Sequence, residues 1–114
     1  MSATCLPNRT RAYIPRNKIT AYLLSETHAV GKSKAKFFRS LGFDETNAGH
    51  LEQALLAIAQ TEQVVESIPS PNGTKYVIDG FLETPRGVRV RVRTIWIIEP
   101  EQEEPRFITA YPIG

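Results

Sequence analysis

The chain has 114 residues, 41% of them apolar and 23% charged, with a formal net charge of +2. That length holds one hydrophobic core and not two, and that composition belongs to a folded domain and not to a disordered or fibrous one. No apolar run approaches the roughly 18–20 residues that cross a bilayer, and the opening MSATCLPNRTR holds no signal-like apolar stretch, so no membrane association is expected and the cytoplasm is the expected location.

Cys5 is the single cysteine, which rules out an intrachain disulfide and a cysteine-based zinc site. Charge is segregated along the chain. Residues 1–40 carry eight Lys or Arg against one acid, residues 41–72 carry five acids and no Lys or Arg, and the remainder has six of each. In that last part the basic residues cluster as Arg86, Arg89, Arg91 and Arg93. If folding brings the two basic groups onto one face, the result is the positive footprint of a phosphate-binding surface; the equally open alternative is a solvated charged face.

Residues 1–13, punctuated by Pro7, Asn8 and Thr10, have no periodic pattern and read as an irregular leader to a single α+β domain spanning 14–114. Ile19, Tyr22 and Leu23 then recur at the spacing of a short helix with one apolar stripe. A linker over 25–30 follows. After Gly31, the segment KSKAKFFRSLGF spaces Ala35, Phe38 and Leu41 helically and turns Lys32, Lys36 and Arg39 elsewhere, giving a basic amphipathic helix stopped at Gly42. Asn47 can cap an acidic helix whose stripe is Leu51, Leu55, Ile58 and Ala59, running to about Gln63.

SIPSPNGTK, with two prolines and an Asn-Gly pair, reads as a loop. The strongly alternating KYVIDGFLET, GVRVRVRTIWII and RFITAYPI then predict three strands, so the expected architecture is two to three N-terminal helices packed on a C-terminal three-stranded antiparallel meander. TPRG fits a type I turn followed by a bulge glycine, which sets a register. Leu82 then faces Val90, Gly80 faces Val92, Ile78 faces Thr94 and Tyr76 faces Trp96 on an apolar face. On the opposite face Glu83 meets Arg89, Phe81 meets Arg91 and Asp79 meets Arg93. Arg91 is left without a carboxylate and beside an aromatic, as in an RNA-contacting platform; a polar outer face serving solubility remains the alternative.

None of the common phosphate-loop, dinucleotide, zinc-protease or nucleophile-elbow signatures is present. No cofactor or metal is expected. Of the two histidines, His50 opens the acidic helix, whereas His28 precedes Gly31, Lys32 and Lys34. A helix N-terminus after glycine offers free N–H groups and a positive dipole end, so HAVGKSK is suited to hold a phosphate beside an imidazole. Cleavage of RNA needs a proton acceptor, a proton donor and a cation on the phosphate, roles that His28, a lysine and a strand arginine can fill. The alternative is that His28 caps a turn, Gly31 allows a bend and the lysines face solvent. Thr109 and Tyr111 share a face of the last strand and belong either to a site or to the core.

The run IPRNKITAYLLSETHAVGKSKAKFFRSLGF, followed by RVRTIWIIE and FITAYPI, resembles the DUF6883 type of bacterial domain over roughly residues 14–113. Its most specific part is His28, Gly31, Lys34 and Ala35, followed by Phe38 and Leu41-Gly42. Similar patterns occur in toxin domains of bacterial competition systems, and the layout is similar to the fold shared by barnase, the EndoU-type nucleases and tRNA-cleaving colicins. That resemblance implies a metal-independent ribonuclease-like toxin domain of a toxin or toxin–antitoxin system, with catalytic positions His28, Lys34, Arg93, Thr109 and Tyr111, substrate contacts at Gly31, Lys32 and Arg91, and a small neutralising partner protein. The final motif departs from such nucleases in having no histidine, so the acid–base pair would combine His28 with a lysine or tyrosine. The competing expectation is a non-catalytic protein-binding module, the antitoxin-like half of a two-gene system.

Overall fold

A computed structural model describes residues 4–25 and 32–113; the side chains of Lys32 and Ser33 are not included in that description. The elements in chain order are a 3-10 turn (Arg9–Arg11), α1 (Arg16–Lys18) continuing into a π turn (Ile19–Leu23), α2 (Lys32–Ser40), a second 3-10 turn (Glu45–Asn47), α3 (Ala48–Thr61), and strands β1 (Val64–Ser70), β2 (Gly73–Glu83), β3 (Arg89–Ile98) and β4 (Arg106–Pro112). The strands form one antiparallel sheet in the order β1-β2-β3-β4.

The helical stripes bury the side chains that their spacing selects. Ile19 and Leu23 are buried on the first helical segment, Ala35 and Phe38 on α2, and Leu51, Leu55, Ile58 and Ala59 on α3. Helix α2 ends in the glycine stop expected of it. Gly42 has φ +100°, its N–H reaches the Arg39 carbonyl, and the Phe43 N–H reaches back to the Phe38 carbonyl, the paired bonds of a Schellman motif. Helix α3 approaches the sheet at Gly80, where a Cβ would stand 2.9 Å from Ile58 Cγ2. With Leu6, Phe43, Ile78, Leu82, Val92, Trp96 and Phe107, the buried residues Ile19, Leu23, Phe38, Leu51, Leu55, Ile58 and Ala59 form one apolar cluster.

The β2–β3 hairpin has the register that its turn dictates. The Gly87 N–H bonds to the Thr84 carbonyl at 3.0 Å, Gly87 takes φ +80°, and the Thr84 N–H and hydroxyl both point at the Val88 carbonyl. Every facing pair from Tyr76↔Trp96 to Glu83↔Arg89 follows. On the core face, buried Thr94 solves a polar problem: its hydroxyl donates to the Ile78 carbonyl at 2.7 Å and accepts the Trp96 indole N–H at 2.8 Å.

Three expectations need correction. The sheet has four strands and not three, because β1 starts at Val64 and runs into the first part of the segment read as a loop, whose last residues open β2. This edge strand is exposed along nearly its whole length, so it carries no buried-face alternation, and its Pro69 sits where an edge strand tolerates a missing donor. The segment read as a leader carries Leu6 into the core, with the Thr4 carbonyl accepting the Val64 N–H at 2.7 Å and Tyr13 bridging to Arg106 on β4. Asn47 does stand at the N-terminus of α3, but its side chain points backwards, accepting from the Asp44 N–H and donating to the Gly42 carbonyl.

Candidate functional site

The strand residues singled out by sequence lie on the face of the sheet opposite the core. The β3–β4 register sets Tyr111 across from Arg93 and Thr109 across from Ile95, while β2 sets Asp79 across from Arg93 on its other side. Tyr111, Arg93 and Asp79 therefore form one row across three strands. Two helical residues reach this edge of the sheet: the Lys34 ammonium from α2 stands 5.6 Å from the centroid of the Tyr111 ring, and the Tyr22 hydroxyl lies 3.1 Å from Thr109 Oγ1.

Asp79 organises the charge. Its side chain is only 9% exposed and accepts two bonds from Arg93, Nε to Oδ1 at 2.8 Å and Nη2 to Oδ2 at 2.9 Å. These bonds, with the charges of Arg93 and Arg91 nearby, hold the Asp79 carboxyl below the ordinary carboxylate range against the opposing effect of burial. The same carboxylate, and secondarily the Tyr111 hydroxyl, keep the Arg93 guanidinium firmly protonated. Arg91 Nη2 lies 3.9 Å from Asp79 Oδ2. This corrects the expectation that Arg91 has no carboxylate; Arg91 does face Phe81 across the ladder, but the guanidinium over the Phe81 ring, at 4.7 Å, belongs to Arg89. The cause is diagonal reach, since a long side chain spans to the neighbour two residues along the facing strand.

Arg91 and Arg93 thus share one carboxylate, and with Lys34 beside the Tyr111 ring the patch keeps an excess of positive charge next to the Tyr111, Thr109 and Tyr22 hydroxyls. Chemically it can hold an anion, direct donors at its oxygens, and exchange a proton through a phenol. Tyr22 is the member that sequence reading passed over as a stripe residue; its half-buried ring packs against the core while its hydroxyl reaches Thr109. His28 and Gly31 lie outside the described residues, as does the Lys32 side chain. Among the described residues no group of three or more His, Cys, Asp or Glu is placed to hold a metal ion, and no helix is long and apolar enough to cross a membrane.

A family model, the Domain of unknown function (DUF6883), matches residues 5–114. The chain belongs to this family. None of the curated proteins matches it. Among solved structures, the chain is similar to one in a contact-dependent growth inhibition toxin–immunity protein complex from Klebsiella pneumoniae 342, with a TM-score of 0.70 at 15% identity, covering 93% of this chain and 97% of that one. At that identity the likeness is one of fold.

Proposed function

We propose that this DUF6883 domain is the RNA-directed toxin half of a bacterial competition system, and that it cleaves RNA without a metal ion. The observation that carries the reading is the convergence of Lys34, Arg93, Tyr111 and Thr109, drawn from one helix and two strands, into a patch of net positive charge. The fold likeness to a chain of a toxin–immunity complex supports the toxin-system setting.

Arg93, clamped by Asp79, and Lys34 supply fixed charge for a phosphate and for the charge that builds on it during cleavage. Tyr111 and Thr109 supply hydroxyls that orient the phosphate or pass a proton to the leaving oxygen. His28, six residues before Lys34 in the sequence, is assigned the role of accepting the 2′-hydroxyl proton. A neutralising protein would cover the same positive patch.

The test is total bacterial RNA incubated with the purified protein in EDTA, beside His28→Ala, Lys34→Ala and Tyr111→Phe, each confirmed as folded by circular dichroism. Cleavage by the parent that falls by about 100-fold or more in the variants is the expected result, the usual scale for a lost acid–base group. RNA left intact by the folded parent at high concentration would sink the reading. It would favour the immunity or binding-module alternative, which predicts a stable complex and no toxicity on expression.

A further inference from the structure

The outer face of the sheet carries one large aromatic side chain that packing does not require. Phe81, on β2, is 53% exposed, although the core on the other face is filled without it. Arg91 faces it across the ladder and the Arg89 guanidinium lies over its ring. We propose that Phe81, with Arg89 and Arg91, is a base-stacking subsite for single-stranded RNA beside the Lys34–Arg93–Tyr111 patch. This rests on the RNA-directed reading and adds the form of RNA taken and the residue that selects it.

Position supports this first. Phe81 is two residues along β2 from Asp79, which is about 7 Å on the same face, so a base stacked on the ring belongs to a nucleotide next to the one whose phosphate Arg93 would hold. Arg89, Arg91 and Arg93 repeat at that same interval and form a cationic track for a backbone, the combination of charged groove and aromatic platform that single-stranded nucleic acid requires. Four cations, counting Lys34, stand against the two carboxylates Asp79 and Glu83.

Both flanking arginines are loosely tied. Arg89 bonds Glu83 at 3.1 Å, but the two side chains are 60% and 68% exposed, and water screens a pair so exposed. Arg89 can therefore leave the ring for a phosphate and open that face to a base. Asp79 already engages Arg93 through both oxygens, so Arg91 at 3.9 Å has only a share of one. A duplex cannot use the ring, because its bases are stacked within the helix and a flat sheet meets only its backbone.

The experiment measures binding apart from cleavage. A fluorescein-labelled, 2′-O-methylated RNA oligonucleotide without self-complementarity, which lacks the 2′-hydroxyl needed for cleavage, is titrated by anisotropy against the full chain, and so is its blunt duplex. Phe81→Ala and Phe81→Leu should each weaken single-strand binding by about 5- to 150-fold, Phe81→Trp should keep or tighten it, and duplex binding should change by less than about two-fold in all three. Arg91→Ala should weaken both forms. Equal losses with Phe81→Ala on single strand and duplex, or no loss on either, would overturn the subsite. So would Phe81→Leu matching the parent, since leucine keeps the apolar surface without the π face. Failure of RNA cleavage by the parent, with Phe81-dependent binding intact, would sink the nuclease reading and leave the subsite standing; cleavage with Phe81-independent binding would do the reverse. A folded parent that binds neither form, and instead only an acidic protein partner, would overturn both.

Discussion

The two faces of the sheet obey different physics. On the core face, Trp96, Ile78, Leu82, Val92 and Phe107 are fully buried, and the polar groups among them are satisfied internally through one hydroxyl, that of Thr94. On the opposite face, Asp79, Glu83 and the three arginines of β3 are held by charge, partly in water. Stability is concentrated on the first face, and the second is the one open to a ligand, because a group that must meet a ligand cannot also be sealed in the interior. Each substitution below should therefore register mainly on one side of this division.

The largest effect belongs to the core. Trp96→Ala removes the largest fully buried side chain and its edge contact with Phe107, and should cost about 3–5 kcal/mol in urea or thermal unfolding. A smaller core effect comes from Thr94→Val. The shape is kept, but the Trp96 N–H is left buried without an acceptor, at a cost of about 1–3 kcal/mol. RNA binding by the fraction still folded should be unchanged in both variants, and a direct loss of affinity would break the separation of the faces.

Asp79→Asn tests the boundary. It loosens Arg93 and Arg91 together, yet Arg93 is 35% exposed and Arg91 53%, so water offsets part of the loss and about 1–2 kcal/mol is expected. The face also loses one of its two carboxylates, so RNA affinity should rise where stability falls. The pH dependence has a definite sign. The folded carboxyl is lowered from the ordinary 3.8, so the pair contributes fully above about pH 4 and its contribution disappears as pH falls through the folded value. The acid-side loss should be smaller in Asp79→Asn than in the parent but not absent, because hydrogen bonds also hold the Asp44, Glu45 and Glu104 carboxyls below their ordinary values, as followed by thermal denaturation between pH 2 and 6. The smallest effect is that of Glu83→Gln, whose exposed pair with Arg89 should contribute no more than about 1 kcal/mol, with the difference from the parent shrinking as salt is raised.

What the sequence determined by itself was whatever depends on neighbours along the chain. The turn residues Thr84 to Gly87 set a hairpin register, and with it the assignment of Gly80, Thr94 and Trp96 to one face and Asp79, Phe81 and Arg93 to the other. Helical spacing picked out the buried stripes, and Gly42 the stop of α2. The edge strand β1 escaped because alternation is a signal of burial, and an exposed strand has no buried face to reveal it. Leu6 escaped because nothing local marks a lone apolar residue that packs far along the chain. The candidate site divided in the same way: Thr109 and Tyr111 were legible as partners on one strand face, their grouping with Lys34 came only from the family resemblance, and the approach of Tyr22 was not legible at all. The sharing of Asp79 between two arginines was equally hidden, since it turns on side-chain reach across strands. Periodicity and turn chemistry are local and are written in the sequence, whereas the convergence of separate elements on one patch is decided only when the helices dock against the edge of the sheet.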